Sequence, residues 1–166
     1  MHLEIERKWL IAYPDTDLLA AMPSAEATQI VQTYLTASPG LSRRVRARSR
    51  GDETVYTRTT KRRISATTAE EEEAIISVEE YESLLREADP TCRPIEKTRW
   101  CIPHGALTLE IDIYPFWQKQ AVLEIELQDE GEDFAIPKEL CVLREVSDDI
   151  AYKNVSLAKK IPPEDI

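Results

Sequence analysis

Glycine, cysteine and histidine are scarce in this sequence, and their scarcity excludes several kinds of functional site. The 166 residues include four glycines, three cysteines and two histidines. No G-x-x-x-x-G-K or G-x-G-x-x-G segment is present to cradle a phosphate with backbone amides, so any bound phosphate must be held by side chains. Cys92, Cys101 and Cys141 form no C-x-x-C pair, which argues against a disulfide framework or a cysteine zinc site and favours a reducing compartment. His2 and His104 are too far apart in the chain for a histidine metal site.

Long apolar runs, internal repeats and low-complexity tracts are also missing. No stretch is long enough to span a bilayer, and charges within the first four residues are unlike a secretion signal. At 42% hydrophobic, the chain can build one domain with a real core, which we place at residues 1–166. We therefore expect a cytoplasmic protein with no membrane partner, as a monomer or homodimer.

Charge is distributed unevenly along the chain. The net charge of −10 argues against general nucleic-acid binding. Residues 43–63 nevertheless carry nine basic residues against two acidic ones, whereas the rest of the chain is strongly acidic. This concentration of cations points to a local anion site.

Residues 4–8, Glu-Ile-Glu-Arg-Lys, show the pattern around which the sequence is organised. In an extended strand, Glu4, Glu6 and Lys8 lie on one face, and apolar residues such as Ile5 and Trp9 lie on the other. Alone, this pattern is typical of an edge strand whose charged face meets solvent.

The same alternation recurs in later segments, and there the charges are sorted by sign. Three segments carry pairs of acids and two carry pairs of bases, namely Glu71/Glu73, Glu110/Asp112, Glu124/Glu126, Arg46/Arg48 and Lys97/Arg99. An open sheet or a sandwich with one wet face remains possible. A solvent-exposed face, however, gives no reason for this sorting. A closed sheet with its charged faces inward explains it, provided that the charges compensate one another or hold bound ions.

The periodicity predicts an α+β, mainly β protein. Strands are expected over residues 4–8, 29–36, 44–50, 55–61, 70–77, 93–102, 106–114 and 121–127, and helices over 18–22, 79–88, 138–143 and 152–160. The four consecutive glutamates at 70–73 could equally begin a helix.

Nine short motifs follow one another along most of the chain. They are E-x-E-x-K at 4–8, Q-x-Y-L at 32–35, R-x-R at 46–48, T-x-K at 59–61, alternating acids at 71–73, E-K-T-R at 96–99, L-E-x-D at 109–112, E-x-E at 124–126, and V-S-x-D with Y-x-N at 146–154. This ordered set resembles the CYTH, or triphosphate tunnel metalloenzyme, family, which includes inorganic triphosphatases, thiamine triphosphatases and class IV adenylate cyclases. The resemblance implies an eight-stranded antiparallel β-barrel that forms a polar tunnel, with a few short helices packed outside.

The charged rows suggest a division of roles. Clustered carboxylates suit Mg²⁺ or Mn²⁺. Lys and Arg suit a triphosphate, which carries about four to five negative charges near neutral pH. Together with the resemblance, this predicts the metal ligands Glu4, Glu6, Glu124 and Glu126, with Glu110 and Asp112 as further ligands or as partners of basic side chains. The predicted substrate-binding residues are Lys8, Arg46, Arg48, Lys61, Lys97 and Arg99. The predicted catalytic residues are Lys8, Glu71, Glu73 and Asp149.

Two positions depart from the family pattern. Ile75 stands where many members carry a third alternating glutamate, and Ile150-Ala151 replaces a charged pair that often follows the closing aspartate. Five further arginines of the basic segment are expected at the tunnel mouth or on the surface, namely Arg44, Arg50, Arg58, Arg62 and Arg63.

The favoured hypothesis is a metal-dependent hydrolase of a small polyanion, inorganic tripolyphosphate or an organic triphosphate. Three alternatives share the same site: an adenylate cyclase of class IV type, a thiamine or nucleoside triphosphatase, and a polyphosphate-binding module without catalysis.

Overall fold

The computed structural model describes residues 2–165, so Met1 and Ile166 of the expected 1–166 domain lie outside the described residues. The strands are β1 His2–Ala12, β2 Glu26–Leu35, β3 Leu41–Arg50, β4 Glu53–Arg63, β5 Thr68–Ile76, β6 Ile95–His104, β7 Leu107–Ile113, β8 Gln120–Leu127 and β9 Val142–Glu145. The helices are α1 Thr16–Ala21, α2 Val78–Leu84 and α3 Asn154–Leu157, with 3₁₀ turns at Leu85–Glu87 and Ile150–Tyr152.

Eight of these strands close into an antiparallel barrel. They are ordered β5-β4-β3-β2-β6-β7-β8-β1, and β1 pairs with β5 to complete the ring. The closing contact uses only the first part of β1, where residues 2–5 lie opposite residues 68–71. Further along the same edge, Trp9–Ile11 pairs with β9. The expectation of an eight-stranded antiparallel barrel is confirmed.

Apolar side chains pack mainly outside the barrel wall, as strand alternation requires. Trp9 and Ile11 point outward from β1 and join a buried cluster with β7 and β8. Leu19 of α1 and Leu140 of the loop before β9 cover this cluster. On the opposite wall, α2 covers Val45 of β3 and its neighbours.

A second apolar cluster fills one end of the barrel. Tyr152 and Leu157 of the C-terminal segment pack there against Leu10, Tyr34 and Val122. These last three residues lie on the inward face of their strands. The charged part of the lumen therefore lies between this apolar end and the end at which β1 begins.

The helix expected over residues 138–143 is wrong. Residues 138–140 form a turn, and the chain then continues as β9. The reason is the edge of β1, which β5 leaves unpaired after Ile5 and which gains hydrogen bonds from β9. A free strand edge outweighs a weak local helix preference.

The other expected elements are present, with shifted boundaries. The ambiguous segment at 70–73 lies in β5, so the strand alternative is correct. The helix expected over 79–88 appears as α2 and a 3₁₀ turn. Only four residues of the expected 152–160 helix are α-helical, and a 3₁₀ turn over Ile150–Tyr152 precedes them.

No helix in residues 2–165 combines the length and apolar character needed to cross a membrane.

Candidate functional site

The barrel lumen gathers the charged rows of the sequence. Cross-strand register places Lys8 beside Glu124, Glu6 beside Glu126, and Arg99 beside Asp112. Because side chains alternate along a strand, these residues share the inward face. Most of the predicted site therefore lies in one space.

A buried ion-pair network occupies the β6–β7 wall. Lys97 Nζ lies 2.9 Å from Asp112 Oδ2, and Arg99 Nε donates to Asp112 Oδ1 at 2.7 Å. Arg99 also donates to Glu110 Oε2 at 2.8 Å. Burial alone would raise the pKa of Asp112, but Arg99 and Lys97 outweigh it and lower that pKa to about 2. In this conformation, Glu110 and Asp112 are partners of basic side chains, which is one of the two roles expected for them.

Lys8 is held between β8 and the C-terminal segment. Its Nζ lies 3.2 Å from Glu124 Oε1 and donates to the carbonyl oxygen of Tyr152 at 2.9 Å. Burial opposes the charge of Lys8, but Glu124 and Glu6 outweigh it and raise the pKa of the ammonium. Lys8 is therefore a fixed cation in the middle of the lumen.

Lys61 connects the first strand with β5. Its Nζ lies 2.6 Å from Glu4 Oε1 and 3.3 Å from Glu71 Oε2. Two residues earlier on the same face of β4, Thr59 donates to Glu73 Oε2 at 3.0 Å. The structure thus places Glu71 and Glu73 in the lumen wall, each bound to a neighbour on β4.

Glu6 differs from the other inward acids. Among residues 2–165, no donor hydrogen-bonds to its carboxylate and no cation forms an ion pair with it. Burial and the neighbouring Glu124 raise the pKa of Glu6, and Glu4 adds to the effect. A carboxylate in this position gains most from a bound cation.

The predicted metal ligands lie near one another but do not converge. Glu126 is exposed and lies 3.2 Å from His2 Nε2, and Glu4 is engaged by Lys61. Within the described chain, no three side chains of Asp, Glu, His or Cys are close enough together to hold a metal ion as they stand. Metal binding at these residues therefore stays a prediction.

An arginine row runs along the β3 side of the lumen. Arg44, Arg46 and Arg48 share the inward face, and none of them has an ion-pair partner among the described residues. Arg46 Nε donates to Gln32 Oε1 at 3.2 Å. Burial, together with Arg44 and Arg99, lowers the pKa of Arg46 to about 10, so it remains a cation at neutral pH.

The expectation that Arg44 lies at the mouth or on the surface is wrong. Only 7% of Arg44 is exposed, and its buried Nε has no hydrogen-bond partner in the described part of the chain. Strict alternation with Arg46 and Arg48 was the signal that could have placed it inside, since all three share one face.

Three further positions lie away from the centre. Asp149 caps the 3₁₀ turn by accepting from the Ala151 backbone N–H, and it is not brought together with Glu71 and Glu73. Ile75 and Ile150 are 77% and 75% exposed, so neither departure from the family pattern disturbs the buried network.

Comparisons with known proteins support the interpretation of the fold. No protein-family model matches the sequence, and no curated protein sequence matches it. Among solved structures, the inorganic triphosphatase NE1496 is 29% identical over 98% of this chain and 99% of that chain, with a TM-score of 0.58. HpAC1 from Hippeastrum, described with a dominant triphosphatase activity, is 16% identical over 76% of this chain and 80% of its own, with a TM-score of 0.55.

These solved structures group this chain with proteins of the CYTH fold. PH1819 from Pyrococcus horikoshii OT3 shows the same fold at 20% identity over 77% of this chain and 80% of that chain, with a TM-score of 0.57. A closed barrel accounts for the inward charges, because the apolar faces of β1, β7 and β8 pack against the outer cluster and their charged faces then meet in one lumen.

Lys153 is a residue near the lumen that sequence reasoning missed altogether. It follows Tyr152 in the C-terminal segment, and its Nζ donates to the carbonyl oxygens of Ala66 and Ser147 at 2.9 and 3.2 Å. Irregular backbone brings it to the lumen, so no strand or helix period could have revealed it.

Proposed function

We propose that this protein hydrolyses triphosphate compounds with the help of Mg²⁺ or Mn²⁺, and that inorganic tripolyphosphate is its substrate. The observation that carries the proposal is the arginine row on β3, which faces the carboxylates of β1 and β8 across one lumen. The similarity to NE1496, an inorganic triphosphatase, supports the same reaction class.

Phosphate oxygens fit the β3 side of the lumen. The guanidinium groups of Arg46 and Arg48 can each donate two hydrogen bonds to a phosphate, and neither is neutralised by a described acid. Thr57 lies opposite Arg46, and its buried hydroxyl has no partner in the described chain. A buried donor of this kind is stabilised by an incoming acceptor.

The carboxylate side fits a hard divalent cation. Glu6 has an unpaired carboxylate and a raised pKa, and Glu4, Glu124 and Glu126 lie on the same strand or the next. Mg²⁺ or Mn²⁺ held there supplies charge neutralisation for the phosphates and a lower pKa for a bound water.

The remaining cations act mainly by position. Lys97 and Arg99 are held by Asp112, so they offset the negative charge of the lumen without leaving their wall. Lys8 stays beside Glu124 and points toward the same space. Glu71 and Glu73 are the carboxylates that we propose orient the attacking water, which needs placement in line with the leaving group.

A substrate panel tests the proposal. Purified protein is incubated with Mg²⁺ or Mn²⁺ and, in turn, tripolyphosphate, thiamine triphosphate and ATP, and the release of phosphate, pyrophosphate and cyclic AMP is measured. We expect phosphate from tripolyphosphate at the highest kcat/KM. Binding without turnover would favour a binding module, and cyclic AMP would favour a cyclase.

Variants assign the two sides of the lumen. We expect Arg48→Gln to lower kcat/KM at least tenfold, because one charged hydrogen-bond donor to phosphate contributes about 1.5–3 kcal/mol. Arg58→Gln, which removes a charge from the outer face of β4, is the matched control. If Glu4→Gln and Glu126→Gln both leave hydrolysis unchanged, the metal assignment is wrong.

A further inference from the structure

A cationic pocket lies beside the apolar end of the barrel. It has a volume of about 510 Å³ and lies between the start of β3, the turn at residues 64–67 and the C-terminal segment. Five cations and two carboxylates line it. The pocket is therefore positively charged, although the net charge of the protein is −10. Three of these cations, Arg44, Arg63 and Lys153, have no ion-pair partner among the described residues.

Arg44 is the buried member of this set. Its exposure is 7%, it lines the pocket, and its Nε has no hydrogen-bond partner in the described chain. Burial opposes its charge, but Tyr34, Glu4 and Glu71 outweigh it and raise the pKa of Arg44. It is therefore a permanent cation with an unused donor, an arrangement that an oxyanion would satisfy.

Lys153 closes the pocket from the other side. The carbonyl oxygens of Ala66 and Ser147 take two of the three N–H donors of its ammonium, and one donor remains for a ligand. Arg63 lines the same pocket, and burial together with the charges of Arg63 and Lys8 lowers the pKa of Lys153 to about 8. A bound anion would relieve this repulsion.

The arginine row on β3 is longer than a triphosphate. Arg44 and Arg48 are four residues apart on an extended strand, a Cα separation of about 14 Å at 3.4 Å per residue. The two bridging oxygens of a triphosphate keep its terminal phosphorus atoms much closer together than this. A substrate that engages Arg46 and Arg48 therefore leaves Arg44 and the pocket for another phosphate group.

We propose that Arg44, Arg63 and Lys153 form a phosphate-binding subsite for one additional phosphate group, so that the protein favours linear inorganic polyphosphates of four phosphates over tripolyphosphate. The proposal rests on the function proposed above for the position of the first three phosphates. The subsite itself requires only binding.

Calorimetric binding without divalent cations, in the presence of EDTA, separates the two proposals. Tetrapolyphosphate and tripolyphosphate are titrated into the wild type, Arg44→Met, Lys153→Met and the outer-face control Arg58→Gln. We expect Arg44→Met and Lys153→Met each to weaken tetrapolyphosphate binding about tenfold, as the loss of one charged hydrogen bond predicts, and tripolyphosphate binding much less. Arg58→Gln should leave the ratio of the two affinities unchanged.

The ratio of affinities distinguishes this subsite from a structural role. A variant that only loosens the fold weakens the binding of both ligands alike. Arg44→Lys should restore part of the preference for tetrapolyphosphate, because it restores the charge. Equal affinity of the wild type for the two ligands, or equal losses in both variants, would overturn the subsite. A failure of hydrolysis with the preference intact would instead overturn the proposed enzyme activity alone.

Discussion

Asp112 is the residue on which the buried charges of the β6–β7 wall depend. Its exposure is 0%, and its two oxygens engage Lys97 and Arg99. Removal of one partner from a buried ion pair leaves the other charge unpaired, which costs about 3–5 kcal/mol. We expect Asp112→Asn to lower the free energy of unfolding by that amount in urea denaturation at pH 7.

The pH dependence of this effect has a definite sign. The pKa of Asp112 is about 2 in the folded protein and 3.8 as the reference value, so its contribution to stability is present above about pH 4 and is lost as the pH falls toward 2. The difference between wild type and Asp112→Asn should shrink over that range. Glu110→Gln, at a partly exposed partner of Arg99, is the control; an equal loss in both variants would contradict a special role for Asp112.

Removal of the charge of Glu6 should stabilise the metal-free protein, whereas removal of the charge of Asp112 should destabilise it. Glu6 lies directly across from Glu126 on β8, and like charges in that position destabilise a strand pair by about 0.2–1 kcal/mol. We expect Glu6→Gln to raise the melting temperature of the metal-free protein and to reduce the further rise produced by Mg²⁺. The outward-facing Glu72→Gln should change neither measurement.

Protonation provides a second test of Glu6. Because its pKa is raised in the folded protein, the folded state binds a proton more tightly than the unfolded state, and stability from this group grows as the pH falls through the raised pKa. The gain from Glu6→Gln should therefore disappear at acidic pH. A gain that persists there would mean that charge is not the cause.

At the scale of the elements, β4 and β5 contain two matched cross-strand pairs. Thr59 lies opposite Glu73 and donates to it, whereas Thr57 lies opposite Ile75 and its buried hydroxyl has no partner in the described chain. We expect Ile75→Gln to stabilise the protein by about 0.5–1.5 kcal/mol, because the amide oxygen can accept from Thr57. Chemical denaturation compares it with Ile75→Met, which should give no such gain.

Periodicity in the sequence predicted some elements of the fold and not others. The rows Glu4-Glu6-Lys8 and Arg46-Arg48 predicted the barrel because a strand period of two assigns every side chain to a face. The strand β9 could not be predicted in the same way, because it forms in response to the free edge of β1, which exists only in the assembled sheet. Lys153 was inaccessible for a similar reason, since hydrogen bonds between distant loops fix its position.

The sequence also could not predict which side chains pair with one another in the lumen. The choice between metal ligand and ion-pair partner for Glu110 and Asp112 depends on distances across strands, and the fold places Arg99 within 2.8 Å of both. Residue types and faces were predictable; pairing was not.

At the scale of the whole molecule, the two ends of the barrel differ in charge. The pocket beside the C-terminal segment holds five of the lysine and arginine side chains, whereas the described lining of a pocket at the opposite end contains Glu110 and Glu126 and no lysine or arginine. An anion is therefore attracted to the cationic pocket and repelled from the pocket that Glu110 and Glu126 line.

This asymmetry predicts an effect of Asp148, an exposed acid in the lining of the cationic pocket. We expect Asp148→Asn to raise kcat/KM for tripolyphosphate about twofold or more at an ionic strength of about 0.01 M. The gain should fade at about 0.15 M, where the Debye length shortens from about 30 Å to about 8 Å. Glu139→Gln, elsewhere on the surface, is the control, and a salt-independent gain would argue against steering.

The shared edge of β1 also determines when the barrel can form during synthesis. This strand is translated before its partners, which lie at residues 68–71, 120–127 and 142–145. Until the last of them has been translated, one edge of β1 stays open to pairing with other chains. Such distant pairings fold slowly. The strand β1 is therefore among the last to find its complete set of neighbours, and the newly made chain depends on residues 120–145 to be protected from aggregation.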